Sequence, residues 1–231
     1  MKLVVGLGNP GPRYAKTRHN AGFRIAECFA ARHAIALDSE RFGARFGRGR
    51  IATQTGGTLD VGVLEPQEFM NRSGDAVALA LSKLPVEDPS RDLLVTLDDV
   101  DLPFGRLRLR AGGGAAGHKG LAHLIERLGR DDLPRLRFGI GRPLTPIDVV
   151  DWVLQRFSPE EEQVLGGLVA TAADSIDAWL GEGLEAAMNR FNRAGGPSEN
   201  PVRIEEYRSI TKKAALARWQ YQQRSDQNKE G

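Results

Sequence analysis

Gly6-Leu7-Gly8-Asn9-Pro10-Gly11-Pro12-Arg13-Tyr14, followed by Thr17-Arg18-His19-Asn20-Ala21-Gly22, joins a first strand to a first helix. Met1-Lys2-Leu3-Val4-Val5 reads as a short apolar strand. From Asn20 the spacing of Ile25, Cys28 and Phe29 is that of a helix face. An amide, Asn9, and an imidazole, His19, therefore leave the same connection at one rim of a sheet. A helix N-terminus disfavours an added positive charge, so His19 is expected to accept a proton rather than carry one. Gly6, Gly8 and Gly11 also spell the dinucleotide-binding pattern. Pro10 has no N–H for a pyrophosphate, and Pro10 with Pro12 delays the helix that should begin inside that pattern. A ribose-binding acid is also badly placed, the nearest candidates being Glu27 and Asp38.

Outward from this stretch, strand-like runs are expected at 3–5, 59–64, 93–97, 106–110 and 136–140. Helical runs are expected at 20–33, 71–83, 118–129, 147–155, 159–180 and 183–193. Strands alternating with helices indicate an α/β fold: one domain with a mixed, mostly parallel twisted sheet flanked by helices, plus a C-terminal extension. The Gly- and Arg-rich segment 40–55 fits either a strand pair or a loop. Composition breaks at Ala194-Gly195-Gly196-Pro197-Ser198-Glu199-Asn200-Pro201. This divides the chain into a main globular domain at 1–193, a Gly/Pro-rich linker at 194–202 and a basic, partly helical or disordered tail at 203–231. The tail holds seven Lys/Arg against four Asp/Glu and reads either as a solvated extension or as an RNA-contacting arm.

The 231 residues suffice to bury a substantial core, and no apolar run is long enough to span a bilayer. Glycines and prolines interrupt the opening residues at once, so no signal peptide and a cytoplasmic location are expected. A single cysteine, Cys28, allows neither an intrachain disulfide nor a cysteine-based zinc site. With a net charge of only +2, nucleic-acid contact would have to come from a local basic patch.

Three other segments place chemistry beside regular structure. The apolar run 93–97 ends in Asp98-Asp99-Val100-Asp101-Leu102-Pro103, at the strand end where open α/β sheets bind ligands. A carboxylate at Asp98 could orient the His19 ring. Pro66-Gln67-Glu68-Phe69-Met70-Asn71-Arg72-Ser73-Gly74 puts Phe69, Met70 and Asn71 just ahead of a helix. Asn71 there fits a helix cap as readily as a ligand contact. Ala111-Gly112-Gly113-Gly114-Ala115-Ala116-Gly117-His118-Lys119-Gly120 is a glycine-rich loop feeding a helix, suited to bringing backbone amides close to an anion. His19, His118 and Asp98 could form a two-histidine, one-carboxylate metal set, but their spacing lacks the usual helical arrangement. No Gly-x-Ser-x-Gly occurs. Arg106, Arg108 and Arg110 alternate with leucines, and Arg135 and Arg137 repeat that parity, giving a candidate phosphate-binding sheet face.

Taken in register, these segments resemble the bacterial peptidyl-tRNA hydrolases. They are Gly6 through Gly11, Thr17 through Gly22, Phe69-Met70-Asn71-x-Ser73-Gly74, Asp98 through Gly105, and Gly112 through Gly120. Arg135-Leu136-Arg137-Phe138-Gly139-Ile140-Gly141-Arg142-Pro143 matches a further signature of that family. The resemblance implies hydrolysis of the ester between a peptide and the 3′-terminal ribose of tRNA, by a monomer that needs neither metal nor nucleotide cofactor. It implies contact with the acceptor stem and 3′ end of peptidyl-tRNA and with no membrane. Carried over residue by residue, His19 is the base that activates water and Asp98 is the carboxylate that orients His19. Asn9, Tyr14, Phe69, Met70, Asn71 and Lys119 bind substrate, and Arg108, Arg110 and Arg137 meet tRNA phosphates. Where the family usually has His-Asn-Gly, this chain has His118-Lys119-Gly120; lysine donates hydrogen bonds but accepts none. The alternative is a non-catalytic RNA-binding protein on the same fold, against which the intact His19/Asp98 pair speaks.

Overall fold

A computed structural model describes residues 1–52, 56–143 and 147–193. The proposed linker and tail lie outside the described residues. A seven-stranded mixed sheet occupies the middle of the molecule. Its strands are β1 (Lys2–Gly6), β2 (Ser39–Arg41), β3 (Ala44–Ala52), β4 (Thr58–Pro66), β5 (Leu93–Asp99), β6 (Leu107–Arg110) and β7 (Arg135–Gly139). The order is β2-β3-β4-β1-β5-β7-β6. The four central strands, β4, β1, β5 and β7, run parallel, while β2, β3 and β6 close the edges antiparallel. Segment 40–55, left open by composition, supplies the β2–β3 edge as far as its described residues extend.

Helices cover both faces. One layer holds α1 (Ala21–Arg32), α6 (Pro159–Glu182) and α7 (Leu184–Phe191). The other holds α2 (Ser73–Lys83) and α4 (Lys119–Leu128), while α3 (Pro89–Asp92) and α5 (Val149–Val153) are short. Two cores result. Val4, Val63, Leu94 and Leu136 pack with α1 and α6, whereas Leu3, Val5, Leu64 and Val95 pack with α2 and α4. This is the alternation expected of buried strands, with successive side chains feeding opposite layers. Among the described residues no helix is long and apolar enough to cross a membrane. Cys28 is buried on the inner face of α1.

The glycines of the opening stretch serve packing. A Cβ on Gly8 would sit 2.6 Å from the Phe23 ring, and one on Gly22 would collide with the backbone oxygens of Thr96 and Leu7. They let α1 press onto the ends of β1 and β5, a role that accounts for the spacing without any nucleotide. His19 does not open α1 directly. It lies in a 3-10 turn, Arg18–Asn20, just ahead of the helix. Likewise Asn71 is not a cap for α2: it lies in the 3-10 turn Met70–Arg72, exposed, and Arg72 occupies the N-cap position without a side-chain bond to the helix N-terminus.

Candidate active site

Strand order delivers the functional groups to one place. β1 and β5 are parallel neighbours, so the turn after β1 and the end of β5 meet at the carboxyl edge of the sheet. His19 Nδ1 lies 2.8 Å from Asp98 Oδ1. Both residues are buried, and both border a cleft of about 630 Å³.

Sequence reasoning grouped His118 with His19 and Asp98 only as a possible metal set and missed its hydrogen bond to this carboxylate. His118 Nε2 lies 3.1 Å from the same Asp98 oxygen, and the two rings are 4.9 Å apart. His118 is also the N-cap of α4, its Nδ1 accepting the Leu121 N–H at 3.1 Å. A backbone N–H can only donate, so the single proton of a neutral His118 ring lies on Nε2 and points at Asp98. An ionised carboxylate only accepts, which places a proton on His19 Nδ1 as well. His19 Nε2 is then the ring nitrogen left open to the cleft. Burial alone would push the Asp98 carboxyl up. The facing His19 and His118 rings outweigh it and hold the group well below the usual carboxylate range.

His19, Asp98 and His118 bring one potential ligand atom each within 4.8 Å of one another. Coordination through His118 Nε2 would shift that ring's proton to Nδ1, directly against the Leu121 N–H. The donor set therefore fits a hydrogen-bonded array rather than a metal cage.

Asn9 is fixed from two sides. Its N–H donates to Asn20 Oδ1 and its carbonyl accepts from Asn20 Nδ2, both at 2.9 Å. Its side-chain oxygen accepts the Met70 N–H at 2.8 Å, which leaves Nδ2 to donate into the cleft. Asn20, beside His19 in the sequence, is thus the residue that holds Asn9. Met70 is buried against α4, where a Cβ on Gly120 would strike its sulfur. Phe69 is 58% exposed and meets Tyr14 edge to face, 6.3 Å between centroids. Tyr14, Phe69, Met70, Asn71 and Lys119 all line the same cleft, with Lys119 exposed at the first residue of α4.

The arginine face divides. Arg108 and Arg110 stand exposed on edge strand β6, and Arg108 is the cross-strand neighbour of Arg137. Arg137 lines the cleft and pairs with Asp99 at 2.9 Å. Arg106 bonds the carbonyls of Asn192 and Arg193, closing the end of α7. Arg135 corrects the expectation of an open five-arginine face. It is fully buried, and its guanidinium binds the carbonyls of Leu133, Gly113, Gly114 and Asp131. It anchors the glycine-rich loop rather than facing solvent, and burial pushes its pKa down. The cleft also has an apolar wall that no motif announced: Val149, Val150 and Leu154, exposed on and just after α5.

The chain matches the family model described as Peptidyl-tRNA hydrolase over residues 3–200. It is 48% identical over 192 residues to the peptidyl-tRNA hydrolase of Chloroflexus aggregans, covering 83% of this chain and 99% of that one. With the peptidyl-tRNA hydrolase of Symbiobacterium thermophilum it shares 44% over 191 residues, 83% of this chain and 98% of the relative. The crystal structure of peptidyl-tRNA hydrolase from Acinetobacter baumannii superimposes with a TM-score of 0.76 at 36% identity, covering 86% of this chain and 97% of that one. On these matches the chain belongs to the peptidyl-tRNA hydrolase family.

Proposed function

We propose that this protein hydrolyses the ester joining a peptide to the 3′ end of tRNA, with His19 as the base that activates water. Membership of the family gives the reaction. The observation that supports His19 in this role is the 2.8 Å bond from its Nδ1 to Asp98, which leaves Nε2 on a cleft-lining ring. Water attacks the ester carbonyl while His19 Nε2 takes its proton. The tetrahedral intermediate then collapses, and the same proton passes to the departing ribose oxygen. Asp98 fixes the ring and balances the imidazolium formed between these steps. The Asn9 Nδ2 group, held by Asn20 and Met70, is a fixed donor for the peptide carbonyl region.

The remaining groups divide the substrate between them. Phe69 and Tyr14 offer aromatic surface for the terminal adenosine, beside Met70 and the exposed amide of Asn71. Lys119 supplies a cation at the rim. The acyl chain runs along the apolar α5 wall, which makes no hydrogen-bonding demand on its side chains and so tolerates many peptides. Arg108 and Arg110 are free to meet acceptor-stem phosphates, and Arg137 extends that charge into the cleft. In this reading the enzyme works in the cytoplasm as a monomer, without metal or nucleotide cofactor. Incubating purified protein with an N-blocked aminoacyl-tRNA tests it: release of free tRNA is expected. Tight tRNA binding with the ester left intact would favour an RNA-binding role instead.

A further inference from the structure

Arg18 has no part in the reaction as described, yet it is buried, with its side chain only 4% exposed. Its two terminal nitrogens grip both oxygens of Glu161, at 2.8 and 2.7 Å. The guanidinium carbon, Cζ, lies 3.8 Å from the Trp152 ring centre and 4.9 Å from that of Phe157. Glu161 has a second duty, accepting the Ser158 N–H at 2.7 Å in the capping box of α6. Trp152 in turn donates its indole N–H to the Gly141 carbonyl at 2.7 Å. Backbone links reinforce the junction: the Arg18 N–H reaches Gln155 O at 2.9 Å, and Thr17 bridges Arg156.

α5 is five residues long, and its cleft-facing valines are exposed. A helix this short is marginal by itself and takes its position from what it is tied to. His19, by contrast, has an independent anchor in Asp98, and its turn is held by Asn20 on Asn9. Loosening Arg18 would therefore release the wall before it disturbed the base.

We infer that Arg18 is a positioning residue that sets the place of the apolar α5 wall relative to His19, and so governs the binding of acyl chains long enough to reach that wall. This rests on the reading above that the peptide lies along α5. Arginine suits the task because a planar fork can pair with a carboxylate and stack on indole at once, which an ammonium cannot.

The test is steady-state hydrolysis by wild type and Arg18→Lys of two esters: a tRNA carrying N-acetylglycine and a tRNA carrying an N-blocked apolar tripeptide. For Arg18→Lys, KM for the tripeptide ester is expected to rise about fivefold, the scale of one lost stacking contact. Its kcat, and both constants for N-acetylglycyl-tRNA, should stay within about twofold. Trp152→Phe keeps a ring under the guanidinium but loses the bond to Gly141. It should shift the tripeptide KM the same way by a smaller factor, and it carries the test if Arg18→Lys does not fold. Equal losses on both esters, a fall confined to kcat, or no change in either variant would overturn the inference. Failure of wild type to cleave either ester would instead overturn the reading of the cleft, and this inference with it.

Discussion

Asp98 accepts from two histidines, so the site contains an array of three side chains rather than a simple pair. Each donor is a hydrogen bond to a buried charge, an interaction of about 1.5–3 kcal/mol. His118→Phe removes one donor while keeping a ring in the space. A loss of about tenfold or more in kcat is expected, with KM for peptidyl-tRNA little changed, measured by steady-state turnover. Lys119 makes the opposite case. It is exposed at the cleft rim, where a single charge contributes weakly. Lys119→Asn should leave kcat/KM within about threefold of wild type in the same assay. The partnership of His19 with Asp98 was legible because both lie in motifs whose strand and loop positions could be placed. That of His118 was weighed only as metal ligation, not as a hydrogen bond: a histidine after a run of glycines carries no periodic signal, and its bond to Asp98 exists only once α4 is docked. Arg135 misled for a related reason. Strand parity tells which face a side chain takes, but not that a loop will fold over that face and bury it.

At the scale of elements, helix and strand positions followed from apolar spacing, and boundaries moved by a few residues where local turns intervened. The 3-10 turns before α1 and α2 escaped notice because they lie outside any amphipathic period, and both carry site residues. α3 was missed altogether. Four residues give too little pattern, yet this element holds Asp92, which fixes the start of β1 through Lys2 at 3.0 Å. Burial alone would push the Asp92 carboxyl up. Arg91, Lys2 and the Asp88 N–H outweigh it and bring it down from 3.8 to about 2. A carboxylate with a depressed pKa stabilises the fold above its unfolded value and loses that contribution as pH falls through its folded value. Asp92→Asn should therefore lower the urea midpoint at neutral pH. Its difference from wild type should persist down to about pH 4 and shrink between there and about pH 2.

For the whole molecule, the alternation of strands and helices disclosed the class and the parallel centre of the sheet. The antiparallel β2–β3 edge stayed open because Gly- and Arg-rich strands at an edge lack the apolar alternation that marks a core strand. The net charge of +2 also hid where the charge lies. Arg108 and Arg110 project from an exposed edge strand next to the cleft, whereas Arg106 and Arg135 are spent on holding α7 and the glycine-rich loop. Of these four arginines, the exposed pair is the one placed to displace counterions from a phosphate backbone. Replacing Arg108 and Arg110 by Gln should weaken tRNA binding and flatten its salt dependence. The slope of log K against log salt should fall by about 0.7–0.9 per arginine removed, measured by titration with deacylated tRNA. An unchanged slope would place the RNA elsewhere.

The role of His19 decides the rest. The most direct test is single-turnover hydrolysis of saturating N-blocked aminoacyl-tRNA by wild type and His19→Ala, with tRNA affinity measured on the same preparations. A general base at Nε2 requires a drop of about 10²–10⁴ in the rate with affinity retained. A His19→Ala protein cleaving within about twofold of wild type would contradict it.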